Sequence, residues 1–164
     1  MLSDKMVKAV NDQIEFEFSS AYLYLAMAAD CEAQNLPGFA KWFKVQFQEE
    51  QSHGLKLFDY AVDRGGRVTL GPVAKPKAEF GSPLDAFKEV LAHERKVTAA
   101  IHKLYELAMA EKDYATTVLL QWFVKEQVEE EKTAEDIIRQ LEAISGKSHL
   151  LLMIDHKMGE RKIG

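Results

Sequence analysis

The chain has 164 residues, 47% of them hydrophobic and 29% charged, with a formal net charge of −5. That is enough for one domain with a sizeable core and argues against a disordered polypeptide. The acidic balance leaves no face-wide surplus of Lys and Arg to neutralise phosphates, and Lys157, Arg161 and Lys162 are too sparse to supply one, so nucleic acid is not an expected partner.

The N-terminal stretch MLSDKMVKAV holds no uninterrupted apolar segment, and the longest apolar run, LLLMI at 150–154, falls far short of the roughly 20 residues of a membrane span. Cys31 is the only cysteine and permits no intrachain disulfide, which suits a reducing compartment. A cytoplasmic protein without membrane association is expected.

Pro and Gly fall between long periodic segments, and β-branched alternation is nearly absent, so the chain is expected to be all helical. Ser3 can cap a first helix running to about Glu32, and Pro37, pre-set for a first helical turn, opens a second to about Arg64. Ser82-Pro83 opens a third helix to about Glu111, and Asp113 caps a fourth to about Ile144. Gly146 suits a C-terminal cap, after which Ser148 starts a short fifth helix to about Met158.

The short links after helices one and three make each of those pairs antiparallel. The link from Gly65 to Ser82 can span about 60 Å if extended, enough to run the length of a bundle and set helices two and three parallel. One domain is therefore expected over 1–164: a four-helix bundle over 3–144 with one long crossover from helix two to helix three, then the fifth helix near 147–159.

Each long helix carries an apolar stripe interrupted near its middle. The interruptions are Glu17 on the first, Glu50 and His53 on the second, Glu94 on the third, and Gln127 and Glu130 on the fourth. Glu17 lies 33 residues before Glu50 and Glu94 lies 33 before Gln127, and an offset of 77 carries 17, 50 and 53 onto 94, 127 and 130. Two copies of one helical hairpin would thus bring all the interruptions to a similar height in the core.

For any single Glu, a position at the edge of a helix is the simpler account, since Glu is almost never buried unpaired. Four helices with matched interruptions need another explanation. Buried carboxylates cost several kcal/mol each unless protonated or paired, so cations are required. Four Glu balance two divalent ions, and oxygen-rich ligation with one imidazole suits iron or manganese better than structural zinc. Glu50 and His53, at i and i+3, face one metal. Carboxylate bundles with a Glu-x-x-His motif are a known general architecture, to which this pattern conforms.

The stretches NDQIEFEFSSAYLYL around Glu17, FQEEQSHGLKLFDY around Glu50 and His53, RGGRV after the second helix, HERKVT at Glu94 and LQWFVKEQVEEE through Glu130 resemble those of prokaryotic, H-type-like ferritins. The resemblance extends over essentially the whole chain. It implies a ferritin-like bundle assembled into a cage of 24 subunits that oxidises Fe(II) with O2 or H2O2 and stores ferric mineral.

By position, Glu17, Glu50 and His53 would hold one iron; Glu50, Glu94 and Glu130 the second, with Glu50 bridging; and Gln127 would sit beside the second. A third iron would bind through Glu49, Glu126 and Glu129. Glu49 and Glu126 lie about 100° around their helices from the core stripe, and the run 129–131 reads by itself as a solvated acidic face. Tyr24, seven residues beyond Glu17, resembles the family's tyrosine, with roles as hydrogen-bond support for a ligand carboxylate or as electron donor.

The chain departs from the related bacterioferritins at Gln51, where those carry the haem-ligating Met, and at Gln127 and Glu130, where those carry a second Glu-x-x-His. Haem is not expected. The missing second imidazole is expected to weaken one iron site, so that oxidised iron moves on.

Trp42 and Trp122 are expected as core or interface anchors, and His93, His102, His149 and His156 as surface residues. His149 and His156 could instead line a symmetry channel. The apolar LLLMI segment needs cover, which favours assembly. Two rivals are a dimeric di-iron oxidase or peroxidase resembling rubrerythrins, for which rubredoxin-like Cys pairs are missing, and a helical partner-binding module, which leaves the core carboxylates unexplained.

Overall fold

Ser3, Ser82 and Asp113 each place an oxygen where a helix leaves backbone N–H groups without partners, and each starts a helix. In the computed structural model, which describes residues 1–144 and 147–163, the elements are α1 (Asp4–Ala33), α2 (Pro37–Asp63), α3 (Pro83–Ala110), α4 (Tyr114–Ala143) and α5 (Ser148–Met158). Ser3 Oγ accepts from Met6 N at 3.0 Å, Asp113 Oδ1 from Thr116 N at 3.2 Å, and Ser82 and Asp85 form a reciprocal capping box.

Leu36, ahead of α2, offers no such oxygen. The acceptor comes instead from α5, whose buried Asp155 Oδ1 takes Phe39 N at 2.9 Å. The approach is so close that a Cβ on Gly38 would lie 1.6 Å from the Asp155 carbonyl oxygen, which only glycine avoids.

The first three helices end in left-handed residues: Asn35 (φ 58°), Gly65 (φ 70°) and Lys112 (φ 56°). In each, the left-handed residue and its successor return two backbone bonds to the last turn, as in Gly65 N to Val62 O at 2.9 Å and Gly66 N to Ala61 O at 2.8 Å. Arg64, Glu111 and Ile144, expected as final helical residues, are the C-caps. The Gly146 cap lies outside the described residues.

The crossover between α2 and α3 runs along α1. Asn11 holds its start, donating to Arg67 O and accepting from Thr69 N, both at 3.0 Å, and Asp30 holds its end, accepting from Phe80 N at 2.9 Å. Those anchors span 19 residues of α1, about 28 Å of helix. The link therefore returns the chain to the end where α2 began, and α2 and α3 run parallel. Leu2 N bonded to Arg64 O, and Ser3 Oγ bonded to Glu111, place the start of α1 beside the ends of α2 and α3.

The apolar core is in two pieces. One, at the end nearer α5, contains Tyr24, Phe39, Phe43, Phe87 and Leu141; the other contains Met6, Ile14, Leu57, Ile101 and Leu120. Between them lies a layer of buried polar side chains.

Candidate metal centre

Helical periodicity aims Glu17, Glu50, His53, Glu94, Gln127 and Glu130 at this layer, and the exposure of each is 7% or less. The interruptions expected from the sequence therefore do face inward. Ligand atoms of Glu17, Glu50 and His53 lie within 4.8 Å of one another. His53 Nδ1 stands 3.4 Å from Glu50 Oε2 and 4.0 Å from Glu17 Oε2.

Glu94 and Glu130 reach the layer from the other hairpin, each already held. Tyr24 OH donates to Glu94 Oε1, and Gln127 Nε2 donates to Glu94 Oε2 at 3.1 Å and to the Glu94 carbonyl at 3.2 Å. Gln46 Nε2 bridges Glu130 Oε2 at 3.0 Å and Glu50 Oε1 at 3.1 Å. Glu130 also joins a second group, its ligand atom within 4.8 Å of His53 and Glu126. His53 thus belongs to both groups, with its ring edge-on to Trp122 at 5.3 Å and Phe123 at 6.1 Å.

Electrostatics match this crowding. Burial pushes the carboxyls of Glu17, Glu50 and Glu94 above the usual glutamate range, and Glu130 is pushed up to about 7. Mutual repulsion adds to burial: Glu50 raises Glu17, and Glu94 and Glu130 raise Glu50. Hydrogen bonds from Gln13 to Glu17, Gln46 to Glu50 and Glu130, and Tyr24 to Glu94 oppose the rise.

The side chains leave one acceptor of this layer open. Glu17 Oε2 is buried without a hydrogen-bond partner among the described residues, and such an acceptor is costly unless charge is supplied. Oxygen donors from four helices with one imidazole fit hard or borderline divalent ions, and iron is among them.

The outer residues are placed unequally. Glu126 is half-buried and within the second group, Glu129 is exposed, and Glu49 is half-buried and paired with Arg161. Sequence reasoning passed over three contributors. Gln13 and Gln46 each lie four residues before a core Glu and donate one turn along the same helix; that spacing was the available signal. Arg161 had none, because its partner lies 112 residues away in sequence.

Among the other residues, Trp42 is buried in the core, while Trp122, 38% exposed, lines a groove beside His53 with Lys56 Nζ 4.4 Å from its ring centroid. His102, His149 and His156 are exposed. The expectation for His93 is corrected: it is half-buried, 2.8 Å from Ser20 Oγ and edge-on to Phe16 and Tyr24, because α1 packs over this part of α3. Ser20 spends its proton on the Phe16 carbonyl at 2.9 Å, so His93 Nε2 is the donor. Burial pushes the imidazole down to about 4 and keeps it neutral near pH 7.

Comparison with known proteins agrees with this arrangement. Residues 7–144 match the model of the ferritin-like domain family. The bacterial non-heme ferritin of Staphylococcus aureus is 41% identical over 161 residues, covering 98% of this chain and 97% of that one, and that of Staphylococcus epidermidis is 42% identical with the same coverage. An open-pore ferritin from the archaeon Archaeoglobus fulgidus superposes with a TM-score of 0.98 at 49% identity, covering 99% of this chain and all of the other. A form of the A. fulgidus ferritin engineered to be closed also gives 0.98, at 48% identity and full coverage of both chains. A helical bundle with one long crossover, carboxylates from four helices around one histidine and near full-length identity above 40% make this chain a member of the ferritin family, of the prokaryotic non-haem kind.

Proposed function

We propose that this protein is a ferroxidase and iron-storage ferritin, in which Fe(II) is the substrate and the polar layer is the oxidation centre. The carrying observation is the buried cluster of Glu17, Glu50 and His53, with a Glu17 oxygen left without a hydrogen-bond partner among the described residues. Glu17, Glu50 and His53 hold one Fe(II), and Glu50, Glu94 and Glu130 hold a second, with Glu50 shared. Gln127 and Tyr24 keep Glu94 oriented, as their hydrogen bonds support. Glu126, with Glu49 and Glu129, forms an outer third site.

The chemistry then follows from charge. Carboxyls that favour the neutral form lose protons as Fe(II) binds, so uptake releases protons. Two adjacent Fe(II) each give up one electron, reducing O2 by two electrons or H2O2 to water. Ferric product carries more positive charge and moves outward along carboxylates. With Glu130 in place of a second imidazole, the second site holds product less tightly. Iron retention by a Gln127→Glu, Glu130→His double variant tests this, tighter retention being expected and unchanged retention counting against it.

The chain acts as one domain within a 24-subunit cage in the cytoplasm, taking iron without haem. Its likeness to bacterial non-heme ferritin and to both the open-pore ferritin and an engineered closed form from A. fulgidus supports this reading. The test is the initial rate of Fe(II) oxidation in Glu50→Ala and His53→Ala, with assembly checked by size exclusion. Rates at least about tenfold below the parent are expected, the scale at which site residues act. Parent-like rates in both variants would remove the ferroxidase reading.

A further inference from the structure

The segment after α5 folds back onto the bundle through a series of anchors. Asp155 caps α2, Lys41 Nζ donates to Gly159 O at 2.6 Å, and two residues later Arg161 turns inward. Its guanidinium carbon lies 4.2 Å from the Trp42 ring centroid, and Nη2 donates to Glu49 Oε2. Both side chains are largely covered, at 19% and 21% exposure. Nη1 is buried without a hydrogen-bond partner among the described residues, so geometry alone does not complete the guanidinium's role.

Immediately inward stand Glu130, which feels the charges of both Glu49 and Arg161, and the group of His53, Glu126 and Glu130 with ligand atoms within 4.8 Å. A cation on the protein therefore sits at the edge of a cluster suited to a cation from solution. The planar guanidinium is a permanent cation whose fork matches a carboxylate, so it occupies Glu49 as a bound metal ion would. A divalent ion drawn to the outer Glu126, beside Glu130 of the inner site, meets a fixed positive charge and finds Glu49 already engaged.

We propose that Arg161 is a tethered counter-cation of the outer carboxylate cluster, competing with metal for Glu49, so that filling this cluster requires the chain beyond α5 to release its guanidinium. This deepens the proposed function, resting on it for the identity of the inner site, and makes Arg161 a positioning residue that sets how readily iron lingers outside the inner site.

Titration of the metal-free assembled protein with Zn(II), a redox-inert probe, by calorimetry tests the competition. The parent should show a tight class of sites, lost in Glu50→Ala, and a weaker outer class. Arg161→Gln should keep the tight, Glu50-dependent class in place and tighten the weaker class about tenfold, equivalent to about 1.4 kcal/mol. Arg161→Lys, which retains the charge, should stay within about threefold of the parent.

An unchanged or absent weaker class in Arg161→Gln overturns the proposal. Equal tightening in Arg161→Lys also overturns it, since detachment of the segment, and not loss of charge, would then be the cause. A parent without a Glu50-dependent tight class would overturn the reading of the inner site and not the competition, which is read from the weaker class alone.

Discussion

Removing one negative charge from the buried layer changes how the metal-free protein responds to pH, and Glu130→Gln is the informative variant. Glu130 is 7% exposed, and its carboxyl is raised from 4.5 to about 7 by burial and by Glu94. A carboxyl raised on folding binds its proton more tightly in the native state, so native protein holds more protons than unfolded between those values and stability falls as pH rises. Below pH 4.5 both states are protonated and nothing is lost; above pH 7 the full cost is present. The shift corresponds to about 3 kcal/mol, of which roughly 2 kcal/mol develops between pH 5 and pH 7.5. Glutamine keeps an oxygen to accept from Gln46, whose bond to Glu130 is 3.0 Å long, and cannot ionise.

The measurement is denaturant unfolding of parent and variant without metal, at one protein concentration and with assembly monitored, because oligomerisation shifts apparent stability. The variant's advantage should grow by roughly 2 kcal/mol from pH 5 to pH 7.5. Saturating divalent metal should reverse the ranking at neutral pH, since the parent alone supplies the ligand charge. A stability difference independent of pH in metal-free protein would refute the argument that this carboxylate is held against its charge.

Tyr24→Phe removes the donor to Glu94 from a fully buried pair and should cost about 1 kcal/mol in metal-free unfolding, with the Glu94 carboxyl rising further. Lys112→Gly relieves a left-handed backbone at φ 56° and should stabilise by about 1 kcal/mol, read as a higher denaturation midpoint with unchanged slope. Gly38→Ala forces a methyl to within 1.6 Å of the Asp155 carbonyl oxygen and should cost about 2 kcal/mol, with hydrogen exchange of α5 accelerated ahead of the bundle.

What could be read along the chain is what repeats or punctuates it. Ser3, Pro37, Ser82 and Asp113 act within one turn of themselves, so helix starts were legible, and the 3.6-residue period was enough to direct Glu17, Glu50, His53, Glu94 and Glu130 inward. Lys112 in a left-handed cap was not legible, because glycine is the residue that position ordinarily signals.

Tertiary structure decided the pairings. Asp155 capping α2, Gln46 bridging Glu130 to Glu50, and Arg161 on Glu49 each join residues more than 80 positions apart, where no local periodicity constrains a partner. His93 shows the same limit: one turn of α3 looks polar until α1 covers it. Periodicity states which face of a helix is inside, since that depends on residues three and four apart; which inside groups meet depends on how helices dock, and only the packed bundle settles that.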